Sequence, residues 1–201
     1  MPTTKNSQTN PNTALLAVFS SSARVIVLRL FMLDPLRAYY QRQIESATGL
    51  PIRAVQREVD RLASSGLLYR RVEGNRVYYQ VDMQCPLFPE FRGLFLKTAS
   101  DEERARGLLA LDESVRLAFL NPQENKLLVV TSSGRPPAVS LPGYSIEVMS
   151  VDEFMRLTAE HASSLDLYLV DGVDLLGRRE DVIWRRIEAA GYEVRKGQGV
   201  P

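Results

Sequence analysis

The sequence predicts a mixed α+β protein in two parts, an N-terminal helical part closed by a β-hairpin and a C-terminal α/β part. Three observations carry the prediction. Residues 1–100 hold 13 Lys+Arg against 7 Asp+Glu, a net of +6, whereas residues 101–201 hold 12 against 17, a net of −5. Such asymmetry points to a nucleic-acid-facing half joined to a half with another task. The stretch GLPIRAVQREVDRLASSGLLYRRVEGNRVYYQV, residues 49–81, passes from helical to two-residue periodicity at a glycine. Beyond residue 100, apolar strand-like runs such as VRLAFL and KLLVVTS are interspersed with helical patterns.

The elements follow in order. Residues 1–12, rich in Thr, Asn, Ser and Pro, read as a mobile tail. The first domain is expected over 13–99. SSSARVIVLRLFMLD is a helix with a serine cap, apolar Val25, Ile26, Leu28, Leu30, Phe31 and Leu33, and a stop at Asp34-Pro35. A second helix is predicted from Arg37 to Ala47, followed by a tight turn at Thr48-Gly49-Leu50. Pro51 opens a third helix, where its fixed φ and missing N–H cost nothing, and Gly66 ends it. Strands Leu68–Val72 and Arg76–Val81 flank the turn Glu73-Gly74-Asn75. LFPEFRGLFLKT is a further helix.

The second domain is expected over 100–201. It reads as a helix over 101–110, strands VRLAFL, KLLVVTS and YSIEVMS, and a loop holding Pro136-Pro137. A helix opened by the capping box Ser150-x-x-Glu153 follows, then LDLYLV as strand or short helix. A last helix runs from about Arg179 to Ala190, closed by Gly191.

Composition narrows the classes. With 45% hydrophobic and 24% charged residues the chain has the make-up of a globular protein able to bury a core. No apolar run is long enough to cross a bilayer, and the polar N-terminus carries no basic leader to an apolar stretch. One cysteine, Cys85, allows no intrachain disulfide, which fits a cytoplasmic location. Cys85 itself reads as a small residue that favours burial.

On a helix advancing ~100° per residue, Ile52, Val55, Val59, Leu62 and Ala63 share the face that packs inward. Arg53, Arg57, Arg61 and Ser64 take the other face, with Gln56 on the flank near the helix start. Arg suits guanine O6/N7 and Gln suits adenine N6/N7. The hairpin adds Arg70, Arg71, Asn75 and Arg76, suited to phosphates or a minor groove. Between Pro51 and Gln80 there are six arginines, no lysines and three acids. Exposed arginine on a helix ordinarily marks only a solvated face. Here the order of helix, helix, tight turn, helix, glycine stop and hairpin agrees on one fold, a winged helix-turn-helix.

The stretch from Ser21 to Thr98 resembles the ArsR-like winged helix-turn-helix of prokaryotic transcription regulators. More narrowly, it is similar to the version fused to a nucleotidyltransferase-like domain. The segment GLPIRAVQREVDRLASSGLL, the wing EGNRVYY and PLFPEFRGLFLKT carry the likeness. It implies sequence-specific binding of double-stranded DNA, usually as a dimer. The thiolate metal sites of that group do not carry over, since one Cys and one His cannot supply them.

In such fusions the second domain resembles minimal nucleotidyltransferases, which use a Gly-Ser turn after the first strand and an Asp-x-Asp pair leading into the next. The turn cradles a triphosphate and the carboxylates hold Mg²⁺. Here VRLAFL and LLVV take the two strands, and only NPQENK stands between them. The Asp-x-Asp positions fall on Glu124-Asn125-Lys126, so one carboxylate is replaced by an ammonium that repels Mg²⁺. The segment SIEVMSVDEFMRLTAEHASSLDLYLVDGVDLLG still looks like the tail of that fold. This reads as a catalytically dead remnant, with no catalytic residue, metal or cofactor expected.

Other acids do not rescue an active site. Asp171 and Asp174 read as an exposed turn, and Asp152-Glu153 as a helix start favoured by the dipole. His161 has no nucleophile or partner motif beside it. The sequence reading is therefore a dimeric DNA-binding regulator, most simply a repressor on a palindromic operator. Phe88, Phe91, Leu94 and Phe95 offer more apolar surface than a domain of this size readily buries, so they are the expected homodimer interface. The second domain would dimerise, sense an unknown ligand or contact a protein partner. An active nucleotidyltransferase targeted to DNA and an antitoxin-like interaction protein stand as alternatives.

Overall fold

A computed structural model of the chain describes residues 11–197 and residue 200. These residues form a mixed α+β protein that divides into two compact units. Of the described residues, the first unit holds those up to Met32 with Arg37–Thr98, and the second Leu33–Leu36 with those from Ala99 onward. Among the described residues no single helix is long and apolar enough to cross a membrane.

The first unit contains α1 (Pro11–Phe19), α2 (Ser22–Leu33), β1 (Tyr39–Tyr40), α3 (Gln41–Thr48), α4 (Ile52–Ser64), β2 (Leu68–Glu73), β3 (Arg76–Val81) and α5 (Phe88–Lys97). Residues 1–10 of the expected tail lie outside the described residues. Pro11 and Asn12 belong to α1, a helix the sequence reading did not include. The helix expected from Arg37 starts only at Gln41. Tyr39 and Tyr40 are strand-formers and pair across β3 with Tyr79 and Tyr78, and the Gln43 side chain accepts the Tyr40 N–H at 3.1 Å to begin α3.

Pro51 precedes α4 by one residue, and its carbonyl accepts from Ala54 and Val55. The end of α4 is a double-bonded left-handed cap. Gly66, at φ +76°, donates to Ala63, and Leu67 donates to Leu62. Leu62 and Leu67 both enter the core, so the cap turns the chain inward and starts β2 in place. The hairpin closes with Gly74-Asn75 between the paired Glu73 and Arg76; of the two only Gly74 has positive φ, as in a type II′ turn.

The sheet order is β1-β3-β2, all antiparallel. One sheet face and α2, α4 and α5 enclose a core that includes Val27, Phe31, Tyr39, Val55, Val59 and Phe95. A carboxylate is buried at its edge. Glu58 of α4 accepts from Arg24 Nε of α2 at 3.1 Å, and Arg57 and Arg61 each lie 3.8 Å from its oxygens. Glu58 is 1% exposed.

The second unit contains α6 (Asp101–Leu109), β4 (Val115–Asn121), β5 (Lys126–Thr131), β6 (Ser145–Ser150), α7 (Val151–Ala159), a 3-10 turn (Ser163–Leu165), α8 (Asp166–Leu169), β7 (Val173–Asp174), α9 (Val182–Ala189) and β8 (Arg195–Lys196). Its sheet order is β6-β5-β4-β7-β8, with β5/β6 and β7/β8 parallel and the other pairs antiparallel. Both faces of the sheet are covered. Leu117, Phe119, Leu128 and Val130 pack with α7, α8 and α9, while Ala118, Leu120, Leu127 and Val129 pack with α6 and Leu141. That two-sided burial explains why β4 and β5 read as continuous apolar runs.

LDLYLV resolves into the 3-10 turn and α8 rather than a strand. The two-residue strands β7 and β8 have no period to reveal them, and α9 starts at Val182, capped by Asp181, rather than at Arg179. The full reciprocal capping box lies at Ser100 and Glu103. Asp174 is not an exposed turn: it is fully buried, and its Oδ1 accepts from the Leu176 and Gly177 N–H groups. Its Oδ2 has only the ionic contact with Arg179, 3.5 Å away and without hydrogen-bond geometry.

Two consequences are measurable. Arg24→Ala should lower the stability of the first unit by about 3 kcal/mol, since it leaves a carboxylate buried with only its looser partners. Joint replacement by Arg24→Met and Glu58→Leu should recover most of that loss in denaturant titrations. Burial pushes the Asp174 carboxyl above its ordinary 3.8. A raised acid favours the folded state most when protonated, so its contribution is full below that value and is lost as pH rises through the raised one. Compared with Asp174→Asn, which keeps the acceptor for both N–H groups, the wild-type protein should lose denaturation midpoint over that rise.

Candidate nucleic-acid interface

The outer face of α4 follows from its inner one. Because Val55, Val59 and Leu62 are buried, Arg53, Gln56, Arg57, Asp60, Arg61 and Ser64 turn to solvent. The Arg57 and Arg61 side chains remain largely exposed, at 63% and 55%, while sharing Glu58 beneath them. The carboxylate lies near one guanidinium nitrogen of each, Nε of Arg57 and Nη1 of Arg61.

The front of α4 opens on a cleft of about 550 Å³, bounded by the start of α3 and the end of the hairpin. Gln56, Asn75 and Arg76 line it together with Tyr40, Gln41 and Arg42. Gln56 donates to Gln41 at 3.2 Å, which holds its amide at the mouth. The guanidinium of Arg76 lies 4.9 Å from the Tyr40 ring centroid. A hydrogen bond to Tyr78 raises the Arg76 pKa further, so it remains charged.

The hairpin arginines part company. Alternation along β2 puts Arg70 on the side of α4, where it reaches the Tyr79 hydroxyl. That hydroxyl donates to Asp60 at 3.0 Å and receives Gln41 at 3.5 Å, which ties β3 to α3 and α4. Burial is the main reason that the Tyr79 pKa is raised. Arg71 points to the opposite face of the hairpin and pairs with Glu73 at 3.1 Å. Of the eight residues proposed from sequence, Gln56, Asn75 and Arg76 line this cleft; Arg53, Arg57 and Arg61 are exposed along α4, Arg70 reaches Tyr79, and Arg71 lies on the opposite face of the hairpin. Sequence reasoning missed Tyr40, Gln41 and Arg42. Their signal was the polar run after two tyrosines, hidden by the expectation that the helix began earlier.

The apolar set on α5 is mostly internal. Phe88 and Phe95 are core residues and Phe91 packs partly buried against them; only Leu94 is exposed. The reason is α1. Phe19 lies 5.9 Å from Phe91 and 6.1 Å from Phe95 between ring centroids, covering the surface that had seemed in excess. Cys85 is half-buried against the same core.

In the second unit NPQENK is a tight turn organised by Asn121. Its Oδ1 accepts from Gln123 and Glu124 N–H groups, and its amide donates to Leu167 at 3.0 Å. Asn125 takes positive φ, and Lys126 pairs with Glu124 at 2.7 Å. His161 is exposed beside Tyr192, at a ring separation of 6.2 Å. Among the described residues no group of three or more His, Cys, Asp or Glu is placed to hold a metal ion. A scan against protein-family models finds no match, and a search of curated proteins finds none either.

Proposed function

We propose that the protein is a sequence-specific DNA-binding transcription regulator, a repressor that binds a palindromic operator as a homodimer. In this reading the first unit is an ArsR-like winged helix-turn-helix, with α4 in the major groove and the β2–β3 hairpin as the wing. The second is a nucleotidyltransferase-like α/β domain without transferase activity.

One observation carries the reading: Arg53, Gln56 and Arg57 face solvent at the front of α4, beside a cleft shared with Asn75 and Arg76 of the hairpin. Bidentate side chains on a helix read base edges, while cations on a neighbouring hairpin hold the backbone. The Arg24–Glu58 pair supports the reading because it fixes the helix that carries those side chains. For the dimer the support is the apolar exposure of Leu16 and Val18 on α1 and of Leu94 on α5. For the second unit the support is the Glu124–Lys126 pair, which occupies the only carboxylate at the expected metal position.

The test begins by selecting bound sequences from random DNA, which should be palindromic with half-sites about one helical turn, or a multiple of it, apart. Titrations on the selected site and on random DNA at two salt concentrations then separate the roles. Arg53→Ala or Gln56→Ala should cost ~1–3 kcal/mol on the selected site and narrow its advantage over random DNA. Arg76→Ala should weaken both alike and lower the salt slope by about one. Identical behaviour of helix and hairpin variants would refute this docking. Labelled nucleoside triphosphates with Mg²⁺ should yield no transfer by wild type or by Lys126→Asp; incorporation abolished by Glu124→Ala would refute the inactive domain.

A further inference from the structure

The β2–β3 hairpin has a second face, turned away from the core, of which the proposed duplex docking uses only Arg76 at the turn end. Alternation and register define it. Tyr40, Tyr78 and Arg71 lie directly opposite one another across β1, β3 and β2. One step toward the chain's entry into β2 stands the pair Tyr69–Gln80, and one step toward the turn the pair Glu73–Arg76. Tyr69 is 58% exposed, although an aromatic ring of this size ordinarily seeks cover. A cleft of about 350 Å³ adjoins it, lined by Tyr69, Arg71, Tyr78 and Gln80 of this face together with Ala38 and with Arg70 and Tyr79 of the other.

We propose that this face binds single-stranded DNA, with unpaired bases stacked on Tyr69 and Tyr78 and the phosphates held by Arg71 and Arg76. Tyr69 and Tyr78 are diagonal neighbours on adjacent strands, a relation that sets such residues roughly 7–8 Å apart. That spacing admits one planar ring between two others. The rings are held in place. Tyr78 meets Tyr40 edge-on at 5.9 Å, Arg76 covers Tyr40 at 4.9 Å, and the Tyr69 hydroxyl is hydrogen-bonded to Asp82. The one acid at an outward position of the two strands, Glu73, is paired with Arg71. Aromatic rings interleaved with arginine are the chemistry of single-strand binding: stacking accepts any base, and the cations follow the backbone. The choice of DNA over RNA rests on the reading of α4 as a duplex-binding helix, since Tyr40 and Arg76 of this face also line the cleft at the front of that helix.

The test uses the full chain with fluorescent oligo-dT, oligo-rU and a blunt random duplex, read by anisotropy. Oligo-dT should bind; Tyr69→Ala should weaken it about tenfold, with Tyr69→Phe close to wild type and duplex affinity equal in all three. An unchanged denaturation midpoint for Tyr69→Ala establishes that the loss is local. The proposal is overturned if oligo-dT does not bind, if Tyr69→Ala binds it like wild type, or if oligo-rU binds more tightly than oligo-dT. Loss of duplex binding alone, with Tyr69-dependent oligo-dT binding intact, supports this face and sinks only the docking of α4.

Discussion

The first unit depends on one buried charge. Glu58 lies on the flank of α4 where the apolar stripe gives way to the arginine face, and its carboxylate is sealed between α2 and α4. A buried carboxylate must be paired, so α4 cannot rotate about its axis without breaking the contact with Arg24. A turn of the helix would also carry Gln56 away from the cleft it shares with Asn75 and Arg76 of the hairpin. The double-bonded cap at Gly66 fixes the other end, and the Tyr79 hydroxyl closes the triangle through Asp60. Helix orientation and hairpin position are set by polar contacts, while the core supplies the adhesion.

The second unit is held differently. Its central strands β4 and β5 are apolar on both faces, and two of its buried polar side chains organise turns. Asn121 shapes the turn between those strands, and Asp174 shapes the turn after β7. Arg178 donates to the carbonyls of Val115 and Ala110, and Arg116 meets Asp181 at 2.6 Å. Arg179 lies 4.5 Å from the Trp184 ring centroid. Three arginines are thus engaged with the unit's own backbone, acids and rings.

Much of this was legible in the sequence, for identifiable reasons. The third helix, its glycine stop and the hairpin declared themselves through periodicity and turn residues, β4 and β5 through apolar runs, and β6 through the alternation in SIEVMS. What escaped were features settled by tertiary contact. Tyr39 and Tyr40 join a sheet only because β3 is there to receive them, so a helical pattern starting at Arg37 overran them. Helical spacing puts Glu58 at the edge of the stripe formed by Val55, Val59 and Leu62 and Asp60 on the other side, but only the packing against Arg24 shows that Glu58 is sealed from solvent. The phenylalanines of α5 looked surplus because α1, and with it Phe19, lay in a stretch that read as polar tail and connector. At the candidate interface the arginines were visible by spacing, but the split between Arg70 and Arg71 required the register of the hairpin.

The ends of the five-stranded sheet carry a consequence for self-association. An unpaired strand edge is a template on which another chain can add, and length and flatness make it a better one. At one end stands β8, only two residues long, and both are cations, Arg195 and Lys196. A second copy approaching that edge would find two backbone positions and meet its own positive charge. The opposite edge, β6, is six residues long, exposes Ile146, and has Glu147 held back by the Tyr168 hydroxyl at 2.9 Å. Protection against aggregation is therefore lopsided: one border of the sheet is blunted by brevity and charge, and the other leaves a single glutamate as its gatekeeper.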